Sequence, residues 1–222
     1  SYTVTNGTSK SSPTIYEYEK MLILAYLMKK EIITIAGKLG SGKSSTANRL
    51  AEILGFRRAS TGDFMRAMAV NRGISLGELG EVAQTDPSID KELDDYTRNV
   101  GDDTKVILDS RLGFHFIPDS FKVFLELNPG IAAKRILSDI KNNPSRHMES
   151  AEAFDSPESI TKAIALRVES ERIRYRDLYG IENHMGHENF DLVIDTGSPE
   201  YENNIGKVAD EIAEGYKNWL QK

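Results

Sequence analysis

The chain alternates short apolar runs with longer segments whose apolar residues recur at helical spacing. Residues 31–36 (EIITIA) are a β-branched run that ends in Gly37, which predicts a buried strand and then a turn. A helix follows over 43–54, with Leu50, Ala51 and Leu54 on one face and Gly55 as its stop. Residues 57–60 read as a second strand. Helices are expected over 63–71, 75–83 and 86–100, the middle one opened by a Ser75 to Glu78 capping box. Residues 106–109 (VILD) form a buried strand that ends in a carboxylate, and 121–127 the next strand. Helices are then predicted over 130–141 and 157–178, separated by a polar stretch in which Asn142-Asn143-Pro144 breaks the helix. A strand over 191–195 and a helix over 199–220 close the chain.

Strands alternating with helices imply a parallel sheet with helices on both faces. The five predicted strands give an α/β three-layer sandwich. The polar segments near 71–100 and 142–165 read as inserts in one domain. Residues 1–13, rich in Ser, Thr, Asn and Gly, read as a flexible tail, and 15–27 as a short helix packed on the domain. Met28 is a candidate start of the compact part of the chain; the expected division is an N-terminal extension over 1–28 and one domain over 29–222.

Composition narrows the function. With 222 residues the chain can bury a core without covalent staples. It has no cysteine, so disulfides, thiolate zinc sites and a thiol nucleophile are excluded, and a cytoplasmic location is the expectation. A net charge of −6 argues against a broad basic surface for nucleic acid. Basic residues concentrate instead at Arg167, Arg172, Arg174 and Arg176, which suits a small anionic ligand. The apolar run at 21–28 is far shorter than the ~20 residues a membrane span needs. It also lacks a basic start and a cleavage site, so no signal peptide is expected. The four histidines have no zinc spacing, and His184 and His187 lie in a polar loop where solvation is expected.

Gly37-Lys38-Leu39-Gly40-Ser41-Gly42-Lys43-Ser44 matches G-x-x-x-x-G-K-S in the strand-to-helix context that a P-loop requires. Glycines let the backbone wrap closely, successive N–H groups point at phosphate oxygens, and the helix contributes its positive end. Residues 37–45, Ser45 included, are therefore the candidate ATP site. Lys43 is expected at the β- and γ-phosphates, and Ser44 as a magnesium ligand. Lys38 and Ser41 read equally well as solvated loop residues. Asp109, at the end of its apolar strand, is the candidate second metal ligand or else a turn residue before Ser110.

Ser60-Thr61-Gly62-Asp63-Phe64-Met65-Arg66 resembles the S-T-G-D-x-x-R signature of nucleoside monophosphate kinases. That resemblance implies acceptor-phosphate binding by Arg66, whose planar fork suits phosphate. Asp63 serves either as a ligand contact or as the cap of the following helix. Residues 86–94, Asp109-Ser110-Arg111-Leu112, and the Arg-rich 167–175 leading into Leu178-Tyr179-Gly180 extend the likeness. Together they resemble cytidylate kinases of the archaeal, or type 2, kind from about residue 29 to the C-terminus.

The resemblance implies transfer of the ATP γ-phosphoryl to CMP or dCMP, with ATP and Mg²⁺ as cofactors; small nucleotides, without nucleic acid or membrane, are the expected partners, and a monomer is the expected state. It implies that Arg111 and Arg167 hold the acceptor phosphate, that Glu171 contacts the ribose, that Arg174 lies near the acceptor, and that Arg172 covers the transferring phosphoryl. Arg167, Glu171 and Arg174 at i, i+4 and i+7 share one helix face, which is also how a solvated, salt-bridged helix looks. Lys43, Arg111, Arg167 and Arg172 form the expected catalytic set. An acceptor-binding insert over about 61–100 and a lid over about 130–175 follow from the family pattern. Leu112 departs from bacterial relatives, which carry an aspartate there to read the base. Adenylate kinase is the nearest competitor, but its D-G-F-P-R segment and lid signature are missing; a nucleotide-binding protein without transfer is the other alternative.

Overall fold

A computed structural model describes residues 14–17, 31–142 and 156–222. Five strands form one parallel sheet: β1 (Ile32–Gly37), β2 (Arg57–Ser60), β3 (Val106–Asp109), β4 (Phe121–Glu126) and β5 (Leu192–Asp195), in the order β2-β3-β1-β4-β5. The central strands are apolar at nearly every position because helices cover both faces. The helices are α1 (Lys43–Leu54), α2 (Thr61–Arg72), α3 (Leu76–Val82), α4 (Pro87–Gly101), α5 (Gly113–Phe116), α6 (Pro129–Asn142), α7 (Pro157–Tyr179) and α8 (Ile205–Leu220).

On one face Ile33, Ile35, Val123 and Leu125 pack against α1 and α8, through Leu50, Val208 and Ile212 among others. On the other face Ile32, Val106 and Leu108 meet Val100 and Ile117. A third cluster of Met68, Ala69, Leu79, Ala83 and Ile89 holds α2, α3 and α4 together. Strand order reverses at β1, which has β3 on one side and β4 on the other. Such a switch point opens a crevice at the carboxyl ends of the strands, and the loop after β1 lies there.

Several boundaries differ from the sequence-based expectation. The helix predicted from 63 begins at Thr61, with Ser60 as its cap: the Ser60 hydroxyl accepts from the Asp63 amide. Asp63 is thus inside the helix and is not its cap. The last helix begins at Ile205, six residues later than expected. Residues 198–204 form turns, and the Asn204 side chain accepts from the Lys207 amide. The four-residue α5 lacked any periodic signal. The Ser75 to Glu78 capping box is present as predicted. The helix expected over 15–27 falls on described residues only at 15–17, which are helical; the break at Pro144 lies outside the described residues.

Candidate active site

The P-loop needs its glycines for two different reasons. At Gly37, φ is 151° and a Cβ would come within 2.5 Å of the Leu125 carbonyl oxygen, so β4 leaves no room for a side chain. At Gly42, φ is 85°, a left-handed turn that aims the chain into α1. No side chain caps α1 and its first turn holds no acid, so its opening amides and its dipole are left for an anion. The Ser41 hydroxyl is buried and has no hydrogen-bond partner among the described residues.

Lys43 Nζ donates to the carbonyls of Gly37 and Lys38 at 2.9 and 3.0 Å, folded back over the loop it belongs to. Burial, reinforced by the positive charge of Arg111, lowers its pKa to about 8. The Ser44 hydroxyl donates to Asp109 Oδ2 at 2.7 Å, and Asp109 also faces Arg58 at 3.5 Å. The Asp109 position follows from the sheet, because β3 is hydrogen-bonded to β1 with Asp109 opposite Ile35. A hydroxyl and a carboxylate beside a phosphate cradle are hard oxygen donors of the kind magnesium takes, with the rest of its shell left to phosphates and water. Lys38 pairs with Glu126 at the end of β4. Burial would raise the Glu126 carboxyl, but hydrogen bonds from Lys38 and His187 outweigh it and lower the pKa.

A second cluster is made of side chains from separate elements. Arg111, just after β3, reaches Glu171 Oε2 at 2.9 Å, and Arg167 Nε donates to Glu171 Oε1 at 3.0 Å. Glu171 is buried, which alone would raise its pKa; the two guanidinium groups overcome that and hold it low. Beside this cluster, between the P-loop, β4 and α7, lies a cavity of about 370 Å³ lined by Leu39, Phe124, Ile164, Val168 and Met185. Its apolar lining gave no motif, because it is drawn from residues far apart in sequence.

The remaining candidates are distributed differently. Arg66 pairs with Asp63 one helical turn away, and Arg58 bonds the same carboxylate at 2.7 Å. Arg174 turns toward Asp90 of α4 at 3.4 Å and is not part of the Glu171 cluster. Arg172 is exposed and held bidentately by Glu169 at 2.9 and 2.8 Å, so it does not join the other arginines here. His184 is buried, contrary to the expectation of a solvated loop: its ring meets Tyr175 edge-on at 5.0 Å and lies 3.9 Å from Glu171. Burial lowers its pKa, because a charged ring would be desolvated there. His187 is exposed as expected. Arg58, Asp90 and His184 were missed by sequence reasoning. For Arg58 a signal existed, a basic residue in the strand that feeds S-T-G-D.

Comparison with known proteins places this geometry in a family. The family model described as "AAA domain" matches residues 33–155. A cytidylate kinase of Methanothrix thermoacetophila is 37% identical over 167 residues, covering 75% of this chain and 88% of that one. An S-adenosylmethionine-dependent nucleotide dehydratase of Lacinutrix mariniflava is 34% identical over 190 residues; they cover 85% of this chain but only 36% of that longer protein. Among solved structures, shikimate kinase from Bacteroides thetaiotaomicron superposes with a TM-score of 0.55 at 13% identity, over 82% of this chain and 96% of that one, a likeness of fold. The P-loop, the parallel sheet and the matched length together show that the chain belongs to the family of P-loop nucleoside monophosphate kinases that contains the archaeal cytidylate kinases.

Proposed function

We propose that the protein transfers the γ-phosphoryl group of ATP to CMP or dCMP, giving the diphosphate and ADP. The observation that carries this reading is the proximity of two differently built anion sites. Arg111 and Glu171 line the same cavity as Gly37, Lys38 and Leu39 of the P-loop, so the guanidinium cluster and the phosphate cradle border a common space. A nucleotide switch or simple binding module needs only the first site.

Phosphoryl transfer depends on positioning and on neutralising charge. Residues 37–45 hold the triphosphate by main-chain amides. Lys43 leaves the Gly37 and Lys38 carbonyls for the β- and γ-phosphate oxygens. Ser44 and Asp109 would hold magnesium, which would supply neutralisation of phosphate charge. Arg66, Arg111 and Arg167 take the acceptor phosphate, and Arg174 contacts the acceptor further along α7. Glu171 occupies Arg111 and Arg167 until that phosphate arrives, then turns to the ribose. The acceptor phosphate oxygen is already anionic at neutral pH, so no strong general base is required. Closure of the segment around 130–175 excludes water from the gap. The cytidylate kinases among the relatives favour cytosine as the acceptor base.

ADP release coupled to oxidation of a nicotinamide tests the reading directly, with ATP and a panel of CMP, dCMP, UMP, AMP and GMP. CMP and dCMP should give the largest kcat/KM. A preference for AMP would transfer the assignment to adenylate kinase chemistry, and silence with every acceptor would leave a binding protein.

A further inference from the structure

Asp90 is 5% exposed and its Oδ2 has no hydrogen bond among the described residues. The facing group is Arg174 Nε at 3.4 Å, itself buried and without a hydrogen bond. Buried polar atoms are nearly always bonded, and a desolvated ion pair is costly unless further hydrogen bonds complete it. The pair lines a groove of about 520 Å³ between the α3–α4 connection and α7, walled by Pro87, Ile173 and Leu178. Such walls suit a flat ring, with a carboxylate and a guanidinium at its polar edge.

Resting on the acceptor reading above, we infer that Asp90 and Arg174 recognise the base of the acceptor, Asp90 by accepting from the exocyclic amino group of cytosine and Arg174 by donating to the ring N3 or O2. Position along α7 supports this. Arg174 lies seven residues beyond Arg167, about 10 Å at the helical rise, which is comparable to the span from phosphate to base edge in a nucleoside monophosphate. Leu112, directly after Arg111, is apolar and buried, so the turn that follows β3 offers no carboxylate at that position and the reading group comes from another element.

The chemistry discriminates. Cytosine presents a donor at N4 next to an acceptor at N3, which matches a carboxylate beside a guanidinium. Uracil in the same pose presents O4 to the carboxylate, two acceptors in a desolvated place. Burial also raises the Asp90 carboxyl pKa, so a donor that stabilises its charged form is favoured.

Two measurements test the assignment. In the first, Asp90→Asn, which keeps size and can donate, is assayed with CMP and UMP, with a melting curve as the control for folding. The ratio of kcat/KM for CMP over UMP should fall at least about tenfold. In the second, the unaltered protein is assayed with N4,N4-dimethyl-CMP, which lacks both amino hydrogens; a comparable loss against CMP is expected. An unchanged ratio in a folded D90N protein, or dimethyl-CMP used as well as CMP, overturns the assignment while leaving CMP kinase activity intact. A wild-type protein that phosphorylates no pyrimidine monophosphate removes the function proposed above, and this inference with it.

Discussion

The P-loop and the arginine cluster, the two proposed anion sites, are built in opposite ways. The first is main chain: a contiguous turn between β1 and α1 whose shape is set by Gly37 and Gly42 and whose charge comes from a helix end. Its Lys43 ammonium rests on two neutral carbonyls. The second is side chain: Arg111 comes from beyond β3, Arg167 and Glu171 from α7, and both guanidinium groups rest on a buried carboxylate. Neutral carbonyls release a lysine readily, whereas breaking a buried ion pair is costly unless another anion replaces the lost partner. On the proposed function the donor site is preorganised, whereas Glu171 holds the two guanidinium groups meant for the acceptor, so binding of the second phosphate has to displace an existing ion pair.

The sharpest break in that comparison is Lys43→Ala. It should lower kcat on the order of 10³-fold, the scale of losing a charged donor at the transferring group, with the melting temperature little changed. A near-normal rate would remove the P-loop from the chemistry. Next, Arg111→Ala should lower kcat/KM for the acceptor roughly 30-fold, equivalent to about 2 kcal/mol for a charge-assisted contact. ATP binding by fluorescence or calorimetry should hold. Some loss of stability is expected as well, because Glu171 keeps only part of its compensation. Selective loss of ATP affinity would reverse the roles given to the two sites.

A smaller effect concerns protons. Lys43 is depressed to about 8 in the free protein, and phosphate will raise it again. Free and bound forms are both protonated below about 8, so ATP affinity is complete there. Above it the free form has lost the proton that the complex requires, and affinity should fall by up to about tenfold per pH unit. Calorimetric titrations at pH 7 and 9 measure this. An affinity independent of pH would mean that Lys43 is not the group that meets the phosphates. The smallest effect is expected for Arg172→Ala. Arg172 and Glu169 form an exposed pair, which solvent screens, so kcat and stability should both stay close to normal. A large drop in kcat alone would show that closure brings Arg172 inward and would restore it to the catalytic set.

The donor half was legible in sequence because everything it needs is contiguous: a β-branched strand, glycines at the turn, and Lys-Ser opening a helix. The acceptor half was legible only as residue types. The i, i+4 relation of Arg167 and Glu171 predicted that they share a face, and they do meet. The same periodicity placed Arg174 beside them, yet its guanidinium turns to Asp90, on the side of α7 where α4 supplies Asp90 and, one turn on, Asp94, which accepts from Tyr179. His184 was misjudged because local polarity does not report which helix lies over a loop; Tyr175 and Glu171 enclose it.

The sequence by itself determined the alternation of strand and helix, and with it the parallel sheet, and it determined the phosphate loop, since local backbone preference and short-range spacing decide both. Only the tertiary structure decided which distant charges meet: that Asp109 comes beside Ser44 by the pairing of β3 with β1, that Arg111 reaches Glu171, and that Asp90 and Arg174 face each other. Those contacts join residues tens of positions apart, and no short-range rule fixes the packing of one helix against another.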